Sequence, residues 1–170
     1  MPDGLYERDV LAWSQHQADL LRRFGRGERV NDVDWVNVAE EIEDVGLSEL
    51  HAVESYLVLI MVHLLKIQAW PDDTAADHCY SEIAAFQDNA QSRFTPSMRQ
   101  RIDPAVLYGR ALRRLRMGDR RNKDPRPWPD TNPFALDRLL RADPDDLLHD
   151  LPGEPGAGVT PSREPDAPPR

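Results

Sequence analysis

Residues 33–69 read VDWVNVAEEIEDVGLSELHAVESYLVLIMVHLLKIQA. Within them Trp35, Ala39, Ile42, Gly46, Leu50, Val53, Leu57, Ile60, Leu64 and Ile67 succeed one another at steps of three and four. That is the period of one face of an α-helix. The phase holds across Gly46, where two independent helices would agree only by chance. The spacing therefore predicts one continuous helix from about 33 to 69, with Gly46 as the place where it could bend. Such a helix is ~55 Å long at the usual rise per residue, against ~35 Å across for a compact domain of this size. Its halves differ. From Glu40 to Ser55 the side away from the stripe is polar, whereas from Leu57 to Leu65 nearly every face is apolar. The second half is expected at the centre of the fold.

Other helices are expected around it. Tyr6, Val10, Trp13, Gln17, Leu20 and Phe24 keep the same steps and predict a helix over about 5–24, ended by Gly25 and Gly27. Cys79, Ile83, Phe86 and Ala90 mark a third helix over about 75–93. Only Pro2 and Pro71 precede residue 95, and the other thirteen of the 15 prolines come after it, so the later part is cut into short pieces. Thr95-Pro96, Asp103-Pro104, Asn132-Pro133 and Asp143-Pro144 each pair a capping side chain with a proline suited to the first helical position. They predict a turn at 96–102 and helices over about 104–118, 133–141 and 144–150, with an irregular connector at 119–131. No stretch alternates long enough to make a strand. The expected fold is all-α: a helical bundle centred on the long helix, one domain over 1–151. A Pro/Gly-rich tail at 152–170, with almost nothing to bury, is expected to be disordered.

Composition bounds the function. The 170 residues are 40% hydrophobic and 30% charged, with a net charge of −9. The longest nearly unbroken apolar stretch, Tyr56–Leu65, falls short of the ~20 residues of a membrane span. Met1-Pro2-Asp3-Gly4 lacks the basic start of a secretory signal. One cysteine, Cys79, allows no internal disulfide and no multi-cysteine zinc site. A cytoplasmic protein without membrane contact is expected. Charge is segregated along the chain: residues 31–92 carry 13 acids and one base, and residues 93–126 carry 11 bases and 3 acids. Such halves can neutralise each other or offer a basic surface to an anionic partner.

Three separated blocks agree in order and spacing with one bacterial family. They are Tyr6-Glu7-Arg8-Asp9-Val10-Leu11-Ala12-Trp13, the stretch Asp34-Trp35-Val36-Asn37-Val38-Ala39-Glu40-Glu41-Ile42-Glu43-Asp44-Val45-Gly46-Leu47-Ser48-Glu49, and His63-Leu64-Leu65-Lys66-Ile67-Gln68. Over about residues 5–118 the chain resembles the family known as domain of unknown function 29. The resemblance implies an all-helical fold and brings no activity with it.

Chemistry has few candidates. Glu43 and Glu49 edge the apolar stripe, and His63 sits in its most apolar turn. These three are the candidate catalytic residues, against the plainer reading of a solvated acidic face and a buried neutral histidine. The long helix has no Glu-x-x-His pair of the di-metal bundle kind, and no phosphate loop or nucleophile elbow occurs. No metal and no cofactor are expected. His78 and Cys79, as direct neighbours on a helix, do not face each other. Arg110, Arg113, Arg114 and Arg121 are the candidate partner-binding residues, with neutralisation by the acidic segment as the alternative. The pattern favours a non-enzymatic protein-interaction module whose partner is another protein or its own copy. Self-association is expected through the apolar turns of 56–65. The alternatives are a nucleic-acid binder using 110–126 and a metal-dependent enzyme using the long helix's carboxylates with His63.

Overall fold

A computed structural model describes residues 4–70, 76–118 and 128–152. Among these the elements are all helical: α1 (Leu5–Arg8), α2 (Val10–Gly25), α3 (Trp35–Ala69), α4 (Ala76–Arg93), a 3-10 turn (Pro96–Met98), α5 (Pro104–Gly118), α6 (Leu136–Arg141) and α7 (Pro144–His149). The predicted long helix is one element of 35 residues that runs through Gly46. The expected tail beyond residue 152, and residues 119–127 of the connector with Arg121, lie outside the described residues.

By compactness the chain divides into two units inside α3. One unit is Met1–Ala52 and the other Val53–Arg170.

In the first unit, the helix expected over 5–24 is two. Asp9 leaves helical geometry (φ −154°, ψ 81°), and its side chain accepts a hydrogen bond from the Ala12 amide, which caps α2. Gly27, at φ 82°, makes the left-handed turn that closes α2. The long helix starts two residues later than Asn31-Asp32 suggested, because Asp34 is the residue held in place. Its backbone N–H donates to Gln17 Oε1 at 2.8 Å, and its carboxylate accepts from Trp13 Nε1 at 3.2 Å and Asn37 Nδ2 at 2.8 Å. The Asn37 hydrogen bond, helped by that of Trp13, holds the Asp34 carboxyl below its ordinary range. Gln17 is buried for this reason, beside Trp13 and Leu20.

The second unit holds most of the buried apolar side chains. Val53, Leu57, Ile60, Met61, Leu64 and Leu65 of α3 have no exposed surface, and Ile83, Leu107, Leu139 and Leu147 come from the helices around them. Length and composition alone would let α3 cross a membrane, but this apolar half is packed as a core helix is. Gln87 is buried, and its Nε2 donates to the carbonyls of Leu139 (3.1 Å) and Ala142 (2.9 Å) at the end of α6. The last carbonyls of a helix have no partner within it, so Gln87 caps α6 from α4. Of the four cap–proline pairs, Asp103-Pro104 and Asp143-Pro144 start helices, with their carboxylates accepting from Ala105 and Asp145 amides. Thr95-Pro96 starts only the 3-10 turn. Asn132-Pro133 starts no helix: Asn132 Oδ1 accepts from the Phe134 amide in a local turn, and α6 begins at Leu136.

Candidate functional site

The stripe that defines α3 has two fates. Its second half, Leu50 to Ile67, is buried, whereas Trp35 (55% exposed) and Ile42 (67%) are open to solvent, as are Ala39 and Gly46. A methyl group added at Gly46 would meet nothing within 4 Å. Val36 and Val45 are exposed on the same turns, and Phe24 packs edge-on against Trp35 at 5.9 Å while itself remaining exposed. The face that α3 turns towards α1 and α2 is a different one, marked by Asp34, Val38 and Glu41. Tyr6 donates to Glu41 Oε1 at 2.7 Å, and that bond and the surrounding carboxylates push the Tyr6 hydroxyl up to about 12. Of the nine large apolar side chains left exposed among the described residues, seven lie in the first unit. Scattered apolar residues on a surface are ordinary; a contiguous patch marks a contact site.

Self-association through 56–65 therefore loses its physical cause. Leu57, Val58, Ile60, Met61, Val62, Leu64 and Leu65 are all covered within the chain. The uncovered apolar surface is at the other end of the helix.

The candidate carboxylates sit on the first unit's surface. Glu43 and Glu49 are both exposed, at the two edges of the open stripe by helical geometry. His63 belongs to the second unit and is buried, against the Phe86 ring at 5.6 Å. Its Nδ1 lies 3.3 Å from Glu82 Oε2 but off the line a hydrogen bond needs, so that buried nitrogen has no hydrogen-bond partner. Burial, and next the charge of Lys66, pushes His63 below its ordinary value, and Glu82 only partly offsets this. His63 is therefore neutral at neutral pH. Glu82 also approaches His78 Nε2 at 3.5 Å. Sequence reasoning misses Glu82, although His78 and Glu82 stand at the i, i+4 spacing that brings side chains together on a helix. Among the described residues no group of three or more His, Cys, Asp or Glu side chains is arranged to hold a metal ion.

The arginines divide. Arg110 is taken up by Glu54 of α3, with Nη1 to Oε2 at 2.8 Å, as neutralisation by the acidic segment required. Arg113, Arg114 and Arg116 are exposed, and no acid among the described residues forms an ion pair with them. Leu107, Tyr108, Ala111 and Leu115 form the buried side of α5, and burial pushes the Tyr108 hydroxyl up to about 12. On the opposite side, Val106 and Met117 are 58% and 79% exposed.

Residues 5–143 match a protein family described as domain of unknown function DUF29. A crystal structure of an α-helical protein of unknown function from Rhodospirillum rubrum is similar to the chain, with a TM-score of 0.64 and 30% sequence identity. The similarity covers 85% of this chain and 95% of that one. Comparison with curated proteins gave no match.

Proposed function

The chain belongs to the DUF29 family, and from that premise we propose that it acts by binding another protein chain, not by catalysis. The observation that carries this reading is the open first half of the α3 stripe. Trp35, Ala39, Ile42 and Gly46 continue the face that is core in the second unit, and here it meets solvent. Large side chains at 35 and 42 alternate with small ones at 39 and 46. That relief suits a second helix laid along it, as in helix-in-groove recognition with anchors at i, i+4 and i+7. An exposed aromatic that a partner buries, as one would bury Trp35, is the kind of side chain that dominates binding energy.

Site-specific photo-crosslinking tests this directly. A photoreactive residue at position 36 or 42, in the native host cell, is expected to give discrete adducts with protein, and one at exposed Gln91 of α4 is not. Adducts no more discrete from 36 and 42 than from 91 overturn the reading. Adducts with nucleic acid formed from α5 alone would favour the exposed arginines as the working surface instead.

A further inference from the structure

The side of α5 away from its buried residues has the same spacing as the open stripe of α3. Val106, Arg110, Arg113 and Met117 step by four, three and four, as do Trp35, Ala39, Ile42 and Gly46. Each set spans about three helical turns, ~16 Å. The two faces carry opposite charge. The stripe of α3 is edged by Glu43 and Glu49, with Glu40 and Asp44 beyond, and residues 35–50 contain no base. The face of α5 carries Arg113 with Arg114 and Arg116 around it, exposed and without an ion pair among the described residues.

We propose that the acid-edged apolar stripe of α3 docks onto the basic face of α5 in a second copy of this chain. This rests on the protein-contact reading above and deepens it by naming the partner. Docking a second copy through two α3 stripes would set carboxylate against carboxylate, which disfavours that pairing. The α5 face removes the conflict. Laid antiparallel, the Arg113 stem covers Ala39, where a small side chain leaves α3 open to close approach, while its guanidinium head reaches Glu43 at the edge. In that register, at equal rise per residue, Met117 meets Trp35 and Val106 fills the space left by Gly46. Each copy owns both faces, so the contact generates either a closed pair or a longer chain of copies. A contact of three turns is small by the standards of stable interfaces, which makes the association weak, concentration-dependent and salt-sensitive.

Charge reversal in the full-length chain tests the pairing, read as mass by sedimentation over a concentration series in low and high salt. The native chain is expected to gain mass at least twofold over its 19.4 kDa as concentration rises in low salt, with the gain suppressed in high salt. Glu40→Lys with Glu43→Lys abolishes the gain, and so does Arg113→Glu with Arg114→Glu. Mixing those two variants, or combining all four changes in one chain, restores it. All four positions are exposed, and circular dichroism of each variant checks that helix content is kept. A native chain that stays at 19.4 kDa at every concentration overturns the proposal. So does association that survives both charge reversals, or reversals whose mixture fails to associate. An RNA oligonucleotide that binds the native chain and not the Arg113→Glu, Arg114→Glu variant, with no self-association, assigns α5 to nucleic acid and also overturns it. Crosslinks from position 42 to a different protein, with no self-association, would overturn this proposal and leave the protein-contact reading standing.

Discussion

Replacing Gln87 by methionine keeps the length of a buried side chain and removes its two donated hydrogen bonds. In the native chain Nε2 reaches Leu139 O at 3.1 Å and Ala142 O at 2.9 Å, and only the first of these lies in fully buried surroundings. A net hydrogen bond is worth about 1 kcal/mol, and a carbonyl left buried without a donor costs about 1–3 kcal/mol. The Ala142 carbonyl, at the partly exposed end of α6, can turn to water. The Leu139 carbonyl cannot, so the loss sums to about 3 kcal/mol. For a chain of this size that lowers Tm by about 6–12 °C, measured by thermal unfolding monitored by circular dichroism. Gln87→Glu sharpens the case. Its carboxylate has no hydrogen to donate and faces two carbonyl oxygens, so it destabilises more than methionine at neutral pH. Acidification, by protonating it, returns one donor and closes part of the gap to the native chain. A Gln87→Met variant within 0.5 kcal/mol of native, on the order expected of a surface change, would refute the capping role. So would a Gln87→Glu variant whose deficit does not shrink in acid.

The same contacts set three further outcomes. Leu64→Ala, at a position with no exposed surface, is expected to cost about 2–5 kcal/mol; Ile42→Ala on the same stripe, 67% exposed, should stay within about 0.5 kcal/mol. Equal costs in urea unfolding would show that the stripe is not split between covered and open halves. His63, held low by burial, binds its proton more readily unfolded than folded, so the stability tied to its neutral form is present above about 6.5 and is lost as pH falls below that value. The native chain should therefore lose more stability between pH 7.5 and 5 than His63→Leu, with Lys66, His78, Glu82 and Arg114 unchanged around it; identical pH profiles would rule out a buried neutral imidazole. Spectrophotometric titration should show two tyrosines, Tyr6 and Tyr108, ionising near 12, and Glu41→Gln should bring one of the two down, whereas two left in place would mean the hydrogen bond to Glu41 is not the cause at Tyr6.

Periodicity made the fold legible because it records which side of a helix is apolar. The stripe from Trp35 to Ile67 pointed to the long helix through Gly46, and Asp103-Pro104 and Asp143-Pro144 marked two helix starts. Periodicity does not record which turns of a face find neighbours. Uniform apolarity at 56–65 suggested an uncovered surface, yet those turns are buried within the chain, with α4 against Tyr56 and His63, while the sparser turns at 35–46 stay open. Asn132-Pro133 misled for a similar reason. The same two residues cap a helix or close a local turn, and the packing of the next residues decides between them. Of the candidate site residues, Glu43 and Glu49 fall on the open face, and His63 is buried beside a carboxylate, Glu82, supplied by another helix. Arg110 is neutralised by Glu54, while Arg113 and Arg114 remain exposed. Such pairings across helices depend on tertiary placement that no local spacing encodes.

On this account the face of α3 over 35–46 is open in the isolated chain and covered at work. Cys79, the one cysteine, is buried, so a cysteine introduced at Ala39 can be tracked by maleimide labelling with little background. In dilute purified protein, Ala39→Cys should label as fast as Gln91→Cys on α4. In the native host at native expression level, Ala39→Cys should label several-fold more slowly, with Gln91→Cys unchanged. Equal labelling of the two positions in the cell would contradict the account.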